Sequence, residues 1–78
     1  MQGAVVFVQM RGAADLAALH KNLHGVANVK EVYMLAGPTD VLCHVEAADM
    51  DSVVNAVMAI RRVEGVASTD TRFILSVH

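Results

Sequence analysis

The spacing of apolar and polar positions along the chain marks six successive elements. Ala4-Val5-Val6-Phe7-Val8 is apolar on both faces of an extended strand, as a central sheet strand is. After Gly12 the spacing becomes helical. Alanines and leucines recur from Ala13 to Leu23, with Leu16, Leu19 and Leu23 on one face, and Gly25 ends the helix as a C′ glycine would. Residues 29–36 alternate, with Glu31, Tyr33 and Leu35 on one side and Lys30, Val32 and Met34 on the other. Residues 40–46 alternate too, Val41, Cys43 and Val45 against Leu42, His44 and Glu46. Gly37-Pro38 between these strands is turn chemistry. A second helix begins after Asp49, a good N-cap, with Asp51 in its first turn and an apolar stripe of Met50, Val53, Val54, Val57 and Ile60. Gly65 stops it. Residues 67–77 alternate Thr69, Thr71, Phe73 and Leu75 with Ser68, Asp70, Arg72 and Ile74.

The two halves resemble each other. With an offset of 40, Leu23-His24-Gly25-Val26-Ala27 falls on Val63-Glu64-Gly65-Val66-Ala67, Val5 on Val45 and Met10 on Met50. A unit of that length cannot close a core alone, so the pattern predicts a duplicated fold. The element order is β-α-β-β-α-β, the α+β ferredoxin-like arrangement. Right-handed crossovers put both helices on one face of a four-stranded antiparallel sheet. The other face, carrying Tyr33, Leu35, Leu42 and His44, is too apolar for water. A second copy packing sheet to sheet, as a dimeric α/β barrel, is the expected cover.

Composition strengthens this expectation. Of the 78 residues, 55% are hydrophobic and 18% charged, more apolar side chain than one small core can hide. The chain is expected to be a single domain, residues 1–78, and an obligate oligomer. One cysteine, Cys43, rules out an internal disulfide and favours the cytoplasm; alternation points it towards the helices as a small buried hydrophobe. The longest apolar run, residues 4–8, is too short to span a bilayer. Net charge is −2 and the six basic residues are scattered, apart from Arg61-Arg62 at a helix end. Direct nucleic-acid binding, which leaves a clustered basic footprint, is not expected.

The βαββαβ order, the helix-Gly-Val endings at Gly25-Val26 and Gly65-Val66, and the hairpin Gly37-x-x-Asp40 together resemble the effector-binding (RAM) domain of the Lrp/AsnC feast/famine regulators. The resemblance spans essentially the whole chain, and a stand-alone domain without a helix-turn-helix is expected. It implies a sensing and oligomerisation module that binds an amino acid between subunits near the strand 2/strand 3 hairpin. Leu35, Ala36, Gly37 and Asp40 would line that site, Gly37 letting backbone groups approach the ligand and Asp40 accepting hydrogen bonds from its ammonium group. Thr39 stands where members often carry an aromatic residue, and Ala36 where they often carry a polar one. The resemblance also implies a homodimer assembling further, to an octamer or similar ring, and full-length regulators of the same family as further partners.

Other residues have plain readings beside functional ones. Thr69 and Thr71 could reach a ligand across a subunit interface, although threonine is also an ordinary strand former. His44 and Glu46, with Glu31 and Tyr33, share the open face. They suit a dimer interface, or an acid–base pair if the barrel is an oxygenase or isomerase. His20 and His24 have the i, i+4 spacing of two metal ligands but no third. No metal, cofactor or catalytic residue is expected. A ligand-free assembly module, of which an ACT-like regulatory domain would be one form, is the remaining alternative.

Overall fold

The computed structural model describes residues 1–12, 15–36 and 41–75. Their elements are β1 (Gln2–Met10), α1 (Leu16–His24), β2 (Val29–Met34), β3 (Val41–Ala47), α2 (Met50–Arg61) and β4 (Val66–Ile74). The sheet order is β2-β3-β1-β4, and all three pairings are antiparallel. This is the expected ferredoxin-like fold. Residues 13–14, the hairpin residues Gly37 to Asp40, and the end of the last alternating run beyond 75 lie outside the described residues.

Both helix starts are capped as aspartate allows. Asp15 accepts hydrogen bonds from the backbone N–H groups of Ala17 and Ala18, and Asp49 from that of Ser52 at 2.7 Å. Each cap supplies an acceptor to donors that have no partner inside the helix. At Asp49 the bond from Ser52 also holds the carboxyl below the usual carboxylate range.

The core lies between the helices and one face of the sheet. Ala4, Val6 and Val8 of β1 and Val41, Cys43 and Val45 of β3 are fully buried there, against Leu19 and Leu23 of α1 and Val53, Ala56, Val57 and Ile60 of α2. Removing one such Val, Leu or Ile side chain from water is worth about 1.5–3 kcal/mol. Cys43 sits in this layer, where burial pushes its thiol up to about 11. It is an inert core residue at neutral pH.

Four expectations need correction. Leu16 is 48% exposed, and Met50 and Val54 are about as open; Ala56 takes the place on the buried stripe expected for Val54. Strict alternation in β2 fails because the register against β3 shifts between Val29 and Glu31. Lys30 is the extra residue, so Val29 and Val32, three apart, both reach the core while Lys30 remains in solvent. Gly25 is not a left-handed C′ residue, since its φ is −76°.

The repeat is also offset differently from its sequence alignment. The turn after α1 bonds Val26 N–H to Leu23 O and Val29 N–H to Val26 O; the turn after α2 bonds Val63 to Ile60 and Val66 to Val63. The halves therefore correspond at an offset of 37. Leu23 matches Ile60, Val29 matches Val66, and Ala4, Val6 and Val8 match Val41, Cys43 and Val45, all on the core face. Asn28, with φ of 71°, stands where Gly65, with φ of 98°, stands in the second half. Glycine tolerates that backbone freely and asparagine is the side chain that accepts it best. The matching Gly-Val-Ala strings at offset 40 are not structurally equivalent.

Candidate ligand-binding site

The register across the sheet fixes where each candidate side chain stands. On the helix-facing side, Met34 pairs with Val41, Val41 with Val8, and Val8 with Thr69. The next row runs Val32, Cys43, Val6, Thr71. Thr69 and Thr71 are thus half-buried on the helix side of β4, not on the open face. Leu35 and Ala36 follow the end of β2, both exposed. Gly37 and Asp40 lie in the stretch outside the described residues.

These rows place the two groups of candidates at the same end of the sheet but on opposite edges. Three strand spacings separate β2 from β4, about 14 Å. A free amino acid cannot reach from the hairpin edge to Thr69 within one copy. The structure therefore brings Leu35 and Ala36 together, and Thr69 and Thr71 together, but not one pair with the other.

Each edge has a groove. Leu16, Ala17 and His20 of α1 and Met34 of β2 line an apolar one of about 440 Å³ beside the hairpin. At the other edge, Arg61, Val66, Ala67, Ser68 and Thr69 line a more polar one of about 290 Å³. In sequence, Met34 reads as a strand filler and Arg61 as a helix-end cation. The spacing of either half carries no signal that they border grooves.

The open face carries Tyr33, Leu42, Phe7 and Asp70 in one row and Glu31, His44, Val5 and Arg72 in the next. Gly3 lies between Glu46 and Ile74, where a Cβ would come within 3.1 Å of both the Ile74 side chain and the Val45 carbonyl oxygen. Alternation in β1 by itself implies that Val5 and Phe7 share this face. Arg72 and Asp70 form an exposed ion pair at 3.2 Å. His44 stands directly opposite Glu31, with no side-chain hydrogen bond between them. The rings of His20 and His24 are 5.2 Å apart, and no group of three metal-binding side chains occurs among the described residues. No helix among them is long and apolar enough to cross a membrane.

Comparison with solved structures places this geometry among known proteins. A Thermus thermophilus protein superposes with a TM-score of 0.87 at 28% identity, covering all of this chain and 98% of its own. Escherichia coli AsnC matches with a TM-score of 0.84 at 19% identity over 97% of this chain, which spans 52% of AsnC. A Neisseria meningitidis transcriptional regulator in complex with L-methionine matches with a TM-score of 0.81 at 23% identity; 96% of this chain covers 50% of it. Identities this low establish shared fold. In sequence, the homocitrate synthase of Sulfurisphaera tokodaii is 33% identical over 72 residues, 92% of this chain but 16% of the enzyme. The family model of the Lrp/AsnC ligand binding domain matches residues 3–78, so the chain belongs to the Lrp/AsnC ligand-binding domain family.

Proposed function

We propose that the chain is an amino-acid sensing module whose ligand binds between subunits, close to the β2–β3 hairpin. The observation that carries this reading is the separation of Leu35 and Ala36 from Thr69 and Thr71 across the full width of the sheet. In a site assembled from two copies, the hairpin edge of one faces the β4 edge of another. Asp40 then holds the ammonium group and Gly37 admits the ligand's charged end. Family membership supports effector binding as the task, and the L-methionine bound by the Neisseria regulator supports an amino acid as the effector class.

The apolar open face supports a homodimer, with Phe7, Val5, Leu42 and Tyr33 packed against the same residues of a second copy. Further association of dimers, to an octamer or similar ring, would create the ligand sites. Ligand binding and assembly are then coupled, because a ligand that binds only the assembled form favours that form by mass action. Full-length Lrp/AsnC regulators are partners by the same surfaces, and the cytoplasm is the compartment such partners require. Thermal melting against the twenty amino acids, with light scattering on the same samples, tests the reading. One or a few amino acids should raise the melting temperature and change the mass, and Asp40→Ala should abolish both effects.

A second reading has its own observation. The homocitrate synthase relative is an enzyme carrying a segment like this one, so the module is not confined to regulators. Here the sensing chemistry is unchanged and the controlled partner is an enzyme. The barrel-enzyme alternative would need His44 for turnover; under the sensing reading, His44→Ala affects dimerisation alone.

A further inference from the structure

We propose that the cleft between α1 and the turn joining α2 to β4 binds a dibasic amino acid, with one carboxylate and two ammonium groups, inside a single copy of the chain. The cleft holds about 400 Å³, within the ordinary range of small-ligand pockets. It shares no described lining residue with either edge groove. Its described walls all come from one copy, and the hairpin takes no part in it.

Three observations support the site. First, charges of both signs line one space: Arg11 just after β1, Asp15 at the N-cap of α1, and Glu64 in the turn before β4. Second, these charges do not neutralise one another. The one ion pair among the described residues joins Arg72 to Asp70, and the side chains of Arg11 and Glu64 have no hydrogen-bond partner among those residues. Asp15 uses Oδ1 to accept from the N–H groups of Ala17 and Ala18, which leaves Oδ2 for a ligand. Third, the two sides of the cleft are tied together. The Arg11 N–H donates to the Gly65 carbonyl oxygen at 2.8 Å, so Arg11 is fixed beside the turn that carries Glu64.

The complement of one guanidinium and two carboxylates is one carboxylate and two ammonium groups. The Arg11 fork matches a carboxylate in geometry, and Asp15 and Glu64 offer only acceptors, which suits ammonium groups. The methylene chain between them lies along Leu19 and Ala18, the apolar part of the lining. A neutral amino acid leaves one carboxylate of the cleft unmatched, and a plain diamine leaves Arg11 unmatched. Capping accounts for Asp15 without a ligand, and an exposed turn accounts for Glu64. Neither requires a guanidinium on the same cleft that pairs with neither carboxylate.

The experiment is titration calorimetry with L-lysine, L-norleucine, which lacks the second ammonium group, and cadaverine, which lacks the carboxylate. The wild type should bind one lysine per chain, about fivefold or more tighter than either analogue. R11Q should lose the preference over cadaverine. D15N, which keeps a capping side chain, and E64Q should each lose the preference over norleucine. D51N removes an exposed acid that does not line the cleft and should stay within about twofold of wild type. Arg11, Asp15 and Glu64 are exposed, so their variants should melt with the wild type. Phe7→Asp, on the open face, should still bind lysine as a monomer. Equal binding of lysine and norleucine, cleft variants no different from D51N, or lysine binding lost together with assembly in Phe7→Asp overturns the site. A wild type that binds other amino acids between copies but no lysine overturns it too, and leaves the sensing reading intact.

Discussion

Thr69 and Met34 end the same row across the helix-facing side of the sheet, with Val41 and Val8 between them. A full sheet width lies between the β4 edge and the strand that leads into the hairpin. In the proposed site a second copy closes that distance.

The cover of the open face is tested by charge. Phe7→Asp places a carboxylate at the middle of the face, in line with Tyr33, Leu42 and Asp70. A buried unpaired charge beside Asp70 strongly disfavours sheet-to-sheet packing. Sedimentation should report a monomer with helix and strand content retained. An unchanged mass would mean that this face is not the dimer interface.

The corrected repeat makes opposite forecasts for two glycines in identical Gly-Val-Ala contexts. Gly65→Ala forces a side chain onto φ of 98° and should cost about 1–2 kcal/mol. Gly25→Ala, at φ of −76° with its nearest neighbour at 3.4 Å, should stay within about 0.5 kcal/mol or gain slightly. Denaturant unfolding at fixed protein concentration measures both. Equal losses would restore the offset of 40.

On α2, Ile60 and Val54 separate the real stripe from the expected one. Ile60→Ala empties a fully buried site and should cost about 2–5 kcal/mol. Val54→Ala, at an exposed position, should change stability by no more than about 0.5 kcal/mol. Comparable losses in the two variants would contradict the burial pattern.

The N-cap of α2 has a pH signature. Asp49 is held below its ordinary pKa in the folded chain by the Ser52 bond, so its contribution is full above the ordinary carboxylate range and is lost as pH falls through the lowered value. Asp49→Asn keeps an acceptor but does not titrate. It should flatten the acid limb of the stability curve while leaving melting near neutral pH almost unchanged. An acid limb identical to wild type would remove Asp49 from that dependence.

Much of this architecture is legible in the residue pattern alone. Element order, the Asp49 cap and the core phase of β3 follow from short-range periodicity, which local backbone geometry enforces; the phase of β1, apolar on both faces, does not. The failures share a cause. The bulge that exposes Lys30 and buries Val29 depends on the pairing of β2 with β3, which alternation within one strand does not encode. The repeat misaligns in sequence because Gly25 and Gly65 are the same residue serving different backbone conformations, while Asn28 performs the task of Gly65 without resembling it. At the candidate site, Asp40 and Gly37 stand out as hairpin residues. Arg61 does not, since a cation at a helix end has a sufficient local reason; its place beside Thr69 comes from the packing of α2 on β4.

The central claim, a ligand site shared between copies, is tested most directly by complementation. Asp40→Ala disables the hairpin half and Thr69→Val with Thr71→Val disables the β4 half. Neither variant alone should bind an amino acid that raises the melting temperature of the wild type. Mixed in equal amounts and reassembled, they should recover about a quarter of the wild-type sites, those pairing an intact hairpin with an intact β4 edge from different copies. A mixture as inactive as its components would contradict the shared site, because a site contained in one copy cannot be restored by a neighbour.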